Sequence, residues 1–174
     1  PTPIFYGDGN RYFGVELEID GAGEDDDNAA EVMSIANGNG IENLYCKHDG
    51  SLDDGFEMVT HPMTLAYHQS EMPWADILRK AVQMGYTSHQ AGTCGLHVHI
   101  NRNVFGETEA RQDAVIARVL FFFEKNWEEL LKFSRRTQHQ LDQWAARYGY
   151  KDQPKEILDH AKSGRHAGRY TAVN

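Results

Sequence analysis

The sequence predicts an α+β fold with a mainly antiparallel sheet. Segments in which apolar residues recur at every second position are mixed with segments in which they recur at every third or fourth position. These strands and helices do not follow the regular strand–helix–strand order of a parallel sheet. The 174 residues contain no repeat, low-complexity tract or obvious linker, so we expect a single domain over residues 1–174.

Four segments have the pattern of strands. In residues 11–20 (RYFGVELEID), apolar side chains occupy every second position, and Glu16 and Glu18 lie between them. Residues 44–62 predict a strand, a turn and a second strand that ends at a proline. The fourth segment, GLHVHIN at residues 95–101, places its two histidines opposite an apolar row.

Apolar residues at helical spacing predict the helices. Residues 74–86 carry apolar side chains at i, i+3, i+4, i+7 and i+8, with a proline before the first turn and a glycine near the end. Residues 107–134 are strong helix formers behind a threonine N-cap. Further helices are expected at residues 29–36, 138–149 and 154–163, and residues 164–174 begin another strand.

The composition excludes several classes of partner. The formal net charge of −9 and a pI of about 5.4 disfavour nucleic acid and anionic membranes. No apolar run approaches the ~18 residues that span a bilayer, and the N-terminal residues do not have the pattern of a signal peptide. Two cysteines are too few for a disulfide framework and suit a reducing compartment. We therefore expect a cytoplasmic protein.

Polar side chains recur on one side of every predicted strand. Each pattern alone has an ordinary explanation, because an E-x-E pair suits a solvated acidic stripe and a strand histidine is usually structural. If the strands share one sheet, however, these side chains converge. The set is Glu16, Glu18, Asp49, Ser51, Glu57, His97, His99 and Asn101. Carboxylates with imidazoles suit Mg²⁺ or Mn²⁺, and Arg165 and Arg169 suit phosphate, so together they favour phosphoryl transfer.

The ordered motifs FGVELEI, DGSL, GFEMVTHP, CGLHVHIN and GRYTAVN resemble the amidoligase family. The resemblance covers residues 11–174 approximately, and this family belongs to the carboxylate–amine ligases with the glutamine synthetase fold. It implies a curved, mainly antiparallel sheet with helices packed on its outer face and the site on the concave face. It also implies an ATP- and Mg²⁺-dependent ligase that forms an acyl phosphate, which an amine converts to an amide or isopeptide.

The resemblance further implies metal ligands. Glu16 and Glu18 match the E-x-E of the first strand, and Glu57 matches the acid that follows the D-G-S turn. Glu57 would join Glu18 at one ion, and His97 would join Glu16 at the other.

Other positions match residues near the substrates. His99 would lie close to the nucleotide phosphates, and Arg169 would neutralise the phosphate in transfer. Asp49 and Ser51 match a turn that faces the substrate, and we expect them to take part in catalysis. The substrates implied are small-molecule or peptide carboxylates and amines, and related folds often form homo-oligomers.

The sequence departs from the family pattern at its end. That pattern continues beyond an asparagine like Asn174 into a strand carrying Glu-x-Arg, whereas this chain ends at TAVN. We therefore expect a catalytic domain truncated at its C-terminus, either a fragment or a degenerate member, whose metal binding or activity is reduced.

Two other functions fit the same residues. A zinc-dependent hydrolase would use His97 and His99 with a glutamate and a water. We expect Cys46 and Cys94 to be buried or inert, and the alternatives for Cys94 are a zinc ligand or a nucleophile paired with histidine. A non-catalytic binding module would keep the fold without metal or nucleotide affinity. Zinc without nucleotide would favour the first, and an ordered protein without either ligand would favour the second.

Overall fold

Segments of alternating polarity form one four-stranded antiparallel sheet in the computed structural model, which describes residues 1–163 and 171–173. Helices separate and follow the strands along the chain without a regular alternation. The predicted α+β class with an antiparallel sheet is therefore confirmed. By its internal contacts the chain divides into two compact units, Pro1–Asn101 and Arg102–Asn174.

The first unit contains the sheet. Its elements in chain order are β1 (Phe13–Ile19), α1 (Asp26–Ala36), β2 (Leu44–Lys47), β3 (Phe56–Thr60), α2 (Leu65–Ser70), α3 (Trp74–Gln83) and β4 (Leu96–Ile100). The strands lie in the order β2-β3-β1-β4, which makes β1 and β3 central. The short helix α2 had no prediction from the sequence.

One face of β1, β2 and β3 forms the core of this unit. Apolar side chains such as Ile19, Leu44 and Met58 are buried there against Val32 of α1 and Ile77 of α3. Period-two alternation therefore places the apolar rows of these three strands together on one face, as the sequence predicts.

The apolar row of β4 differs from the expectation that helices cover the whole outer face. Leu96 and Val98 are each 61% exposed, and Ile100 is 37% exposed. Helix α1 packs on α3 and on β2, and the buried cluster that both helices share with β1, β2 and β3 includes no residue of the edge strand β4. Alternation predicts which side chains share a face, but it does not predict how far a helix layer extends.

The second unit is helical in its described part. It contains α4 (Glu109–Lys125), α5 (Trp127–Ser134), α6 (Gln138–Trp144) and α7 (Pro154–Ser163). Helices α4 and α7 bury Leu120 and Ile157 together. Across residues 1–163 and 171–173, no helix is both long enough and apolar enough to cross a membrane.

Two helix predictions need correction. The single helix expected over residues 107–134 is two helices, because Asn126 leaves helical geometry and its side chain donates to Phe122 O at 2.7 Å. Such a cap satisfies a terminal carbonyl and ends α4. The helix expected over residues 138–149 ends at Trp144. The predicted C-terminal strand lies largely outside the described residues.

A buried carboxylate, that of Asp20, lies directly after β1 and accepts several hydrogen bonds. Asp20 is 4% exposed and accepts hydrogen bonds from the backbone N–H groups of Gly21, Asp53 and Asp54 and from Thr93 Oγ1. Burial raises the pKa of Asp20, but these hydrogen bonds outweigh it and hold the pKa below its ordinary value. Asp20 thereby joins the turns before β3 and β4 to β1.

We expect Asp20→Asn to lower the free energy of unfolding by about 2 kcal/mol at pH 7, because buried donors would lose part of their acceptor. A depressed carboxyl pKa stabilises the fold above the unfolded pKa of about 3.9, and this contribution is lost as the pH falls through the folded-state pKa. The difference from wild type should therefore shrink toward pH 3, as measured by urea denaturation. Asp53→Asn is the control, since Asp53 supplies a backbone N–H to this site. Equal losses in both variants would contradict the role of Asp20.

Candidate active site

Three adjacent strands present carboxylates and imidazoles on the face opposite the core. The antiparallel register sets Glu18 opposite Glu57, Glu16 opposite His97, and Gly14 opposite His99. Residues directly opposite one another in a sheet share a face. We call this surface the acidic face, and it comprises Glu16, Glu18, Lys47, Glu57, His97 and His99. The placement expected from the sequence is therefore observed, while the roles of these residues stay predictions.

Two carboxylates of this face and a third from the turn between β2 and β3 lie close enough to bind one cation. One oxygen each of Glu18, Asp49 and Glu57 lies within 4.8 Å of the others. Glu18 is 7% and Glu57 3% exposed, so neither is an ordinary solvated acid. Buried like charges are costly without a counter-charge. A donor set of oxygens alone fits a hard cation such as Mg²⁺ or Mn²⁺.

The turn between β2 and β3 orients Asp49. Its Oδ1 accepts hydrogen bonds from Ser51 N at 2.8 Å and from Ser51 Oγ at 2.7 Å. This is an Asx turn, in which the side chain mimics a backbone turn. The two residues were expected to face the substrate together. The structure places Asp49 among the clustered carboxylates, where the Ser51 hydroxyl orients it, and the expected roles of both residues at the substrate stay predictions.

Lys47 supplies a fixed positive charge to the acidic face. It pairs with Glu57 across β2 and β3, and its Nζ lies 2.8 Å from Glu57 Oε2. Glu57 Oε2 is buried and has no hydrogen bond of good geometry, so the ion pair with Lys47 is its main compensation. Burial raises the pKa of Glu57, and the nearby Glu16 charge raises it further, although Lys47 opposes both effects. The positive charge of Lys47 thus offsets only part of the burial and charge repulsion that act on Glu57.

Glu16 has the opposite behaviour. Burial raises its pKa, but the neighbouring His99, Lys47 and the hydrogen bond with Glu57 lower it below its ordinary value. The pKa values of Glu16 and Glu57 therefore shift in opposite directions, which is typical of two carboxyl groups that share a site.

Each imidazole contacts a different glutamate. His97 Nε2 lies 3.7 Å from Glu18 Oε1, and His99 Nε2 lies 3.3 Å from Glu16 Oε2. The resemblance grouped His97 with Glu16. The two are opposite in register, but the side-chain contact of His97 is with Glu18.

Gly95 allows this contact by lacking a side chain. Its N–H donates to Glu18 Oε2, and a Cβ at this position would lie 2.9 Å from His97 Nε2 and 3.2 Å from Glu18 Oε2. Any larger residue would displace the imidazole or the carboxylate.

The sequence reasoning missed Lys47 and Gly95. Alternation in the segment LYCK puts Lys47 on the side of Tyr45, but which residue it faces depends on the register with β3. The importance of Gly95 follows from a close approach that the sequence does not encode locally. Arg169 and Arg165, by contrast, lie outside the described residues.

The two cysteines have no evident role in this site. Burial raises the pKa of the Cys46 thiol to about 12, which disfavours the nucleophilic thiolate. Cys94 is 2% exposed, and its Sγ lies 3.8 Å from the carbonyl oxygen of Thr87. Neither belongs to the carboxylate cluster found among the described residues.

The structure thus combines an α+β fold with carboxylates and imidazoles gathered on one face of its antiparallel sheet. Comparison with known families makes this specific, because residues 40–167 match the family described as "Putative amidoligase enzyme". The match covers well over half of the chain, so the chain belongs to the amidoligase family. No curated protein and no solved structure matched the sequence.

We expect the pKa of His97 in the metal-free protein to lie above 6.5. The contact with Glu18 raises it most and the charges of Glu16 and Glu57 add to this, whereas burial lowers it. Glu18→Gln should therefore lower the pKa of His97, as measured by an NMR titration of the imidazole nitrogens. Glu71→Gln, an exposed change elsewhere in the first unit, is the control. An unchanged titration in Glu18→Gln would disprove the contact.

Proposed function

We propose that this member of the amidoligase family is an ATP- and Mg²⁺-dependent carboxylate–amine ligase. The observation that carries the proposal is the convergence of Glu18, Asp49 and Glu57 beside two histidines on one sheet face. An oxygen-rich cation site next to hydrogen-bond donors is the equipment that phosphoryl transfer requires. The family match independently supports ligase chemistry.

The reaction has two balanced steps. The substrate carboxylate attacks the γ-phosphorus of ATP, the bond to the bridging oxygen breaks, and an acyl phosphate and ADP form. The amine nitrogen then attacks the acyl carbon, phosphate leaves with the C–O electron pair, and the amine loses a proton. Mg²⁺ would supply charge neutralisation of the phosphate oxygens when bound.

The residues of the chain divide between these tasks. Glu18, Asp49 and Glu57 would hold the cation, and Ser51 keeps Asp49 oriented. Lys47 lies beside Glu57 and would limit the repulsion between the carboxylates before the cation binds.

The imidazoles of His97 and His99 lie at the border of the carboxylates and can donate to phosphate oxygens. Glu16 holds His99 and is available as a ligand to a second ion. Arg169 is proposed, on the resemblance alone, to pair with the phosphate.

The donor chemistry argues against a zinc hydrolase. A hydrolytic zinc site uses mostly nitrogen or sulfur ligands, whereas the clustered donors here are three carboxylates. The imidazoles of His97 and His99 contact two different glutamates, Glu18 and Glu16, and do not share one acidic partner. We therefore favour a hard cation.

We expect Mg²⁺ and Mn²⁺ to bind to the wild-type protein and ATP to bind in their presence, as measured by isothermal titration calorimetry. Glu18→Gln and Asp49→Asn should each weaken cation binding roughly tenfold or more, because each removes a charged ligand. Both variants should also reduce ADP release when a mixture of carboxylates and amines is supplied.

The control for this experiment is Glu71→Gln, which removes an acidic charge far along the chain from the cluster. It should leave cation binding within about twofold of wild type, since exposed charges contribute weakly. Tight zinc binding that excludes ATP would support the hydrolase instead. Cation-independent ATP binding, or binding that the two substitutions leave intact, would refute the ligase site.

A further inference from the structure

A second feature lies on the same face as the carboxylates but at the other end of the strands. Here a cavity of about 310 Å³ opens over β1, β2, β3 and β4. Its floor includes Gly14, and its walls include Phe5, Tyr12, Tyr45 and Val59. The volume is at the lower end of the range of ~300–1,000 Å³ that small-molecule pockets have. It therefore fits part of a ligand.

The N-terminal wall of this cavity is fixed in place. Ile4 N donates to His61 Nδ1 at 3.2 Å, and Tyr6 N donates to Pro62 O at 3.0 Å. Phe5 lies between these two anchors and packs edge-on against Tyr12, with 4.9 Å between the ring centroids. Phe5 nevertheless stays 57% exposed. A fixed aromatic ring with that much exposed surface gains free energy when an apolar group covers it.

Four of the polar side chains around the cavity are already bonded within the protein. Thr60 Oγ1 and Asn101 Oδ1 each accept a hydrogen bond from a backbone N–H, and the Tyr12 hydroxyl donates to a backbone carbonyl. His61 accepts at Nδ1 and its Nε2 faces Glu42. These side chains therefore offer few free donors or acceptors that could hydrogen-bond to the edge of a nucleotide base. An aliphatic or aromatic hydrocarbon group suits such walls better than a nucleotide base.

One edge of the cavity is charged and continuous with the acidic face. Glu16 and His99 both line it, and their side chains are 3.3 Å apart. A ligand with an apolar group in the cavity would thus extend its polar end toward the carboxylates.

We propose that this cavity binds the apolar side group of one of the two substrates and selects for it. The inference rests on the proposed ligase function, and it specifies the substrate class as an amine or a carboxylic acid with an aliphatic or aromatic substituent. Amino acids and peptides with such side chains carry both reactive groups, so the tests must separate the two sources.

Gly14 offers a direct way to test the cavity. A Cβ at this position would meet only the Cβ of His99, at 3.7 Å, which is ordinary van der Waals contact. Gly14→Val should therefore fit the strand and fill the floor of the cavity without removing any charged residue. Gly38→Val is the matched control, since a Cβ at Gly38 meets nothing within 4 Å and Gly38 does not line the cavity.

We expect ligand-observed NMR titrations in Mg²⁺ to show a preference for larger side groups. N-acetyl-leucine against N-acetyl-alanine tests a carboxylate source, and leucinamide against alaninamide tests an amine source. In one of these pairs, the leucyl probe should bind roughly tenfold more tightly, because each buried methylene favours binding about fourfold and burial here is partial. Gly14→Val should reduce the preference to about twofold or less, and Gly38→Val should retain it.

The outcomes separate this inference from the proposed function. Cation and ATP binding with no side-group preference in either pair would overturn the cavity proposal and leave the ligase standing. A preference that Gly14→Val abolishes, without cation or ATP binding, would support the cavity and refute the ligase. If Gly14→Val does not fold, Tyr45→Ser removes a wall instead, and a preference that survives it would overturn the proposal.

Discussion

The antiparallel register of β1 with its two neighbours is the constraint on which the rest of the site depends. Because strand side chains alternate, a slip of one residue would turn Glu16 and Glu18 toward the core and expose Leu17 and Ile19. The buried apolar row against α1 and α3 therefore fixes the register energetically. Hydrophobic burial on one face thus positions carboxylates on the other.

The same register concentrates negative charge, which opposes folding. Glu18 and Glu57 face one another across the central strands and are both buried. Lys47 on the edge strand and the imidazole of His97 offset part of this repulsion. On the proposed function, a bound cation would relieve the remainder, so the repulsion between the carboxylates and the expected affinity for a cation have one origin. A site of this kind exchanges stability for function, as functional sites often do.

Local patterns predicted much of this arrangement, and the reasons for the failures are non-local. Period-two alternation predicted that Glu16, Glu18 and Glu57 share polar strand faces, since this depends on neighbours in the sequence. Residue pairing across strands does not depend on neighbours in the sequence. The partner of Lys47 could therefore be identified only from the structure. The break at Asn126 was missed because a side-chain cap competes with strong helix propensity on both sides.

The cavity lies beside one end of the acidic face and the carboxylate cluster lies at the other end. The distance between them limits the length of a ligand that reaches both. Same-face positions along a strand are about 6.6 Å apart, so Gly14 at the cavity and Glu18 in the carboxylate cluster are roughly 13 Å apart along β1. Glu16 lies midway and contacts His99. On the proposed function, a substrate with its apolar group over Gly14 would bring its polar end near Glu16, whereas the phosphates of ATP would approach from the side of Glu18. On the proposed function, the two reactants would then meet above Glu16, between the surface that selects the substrate and the surface that activates it.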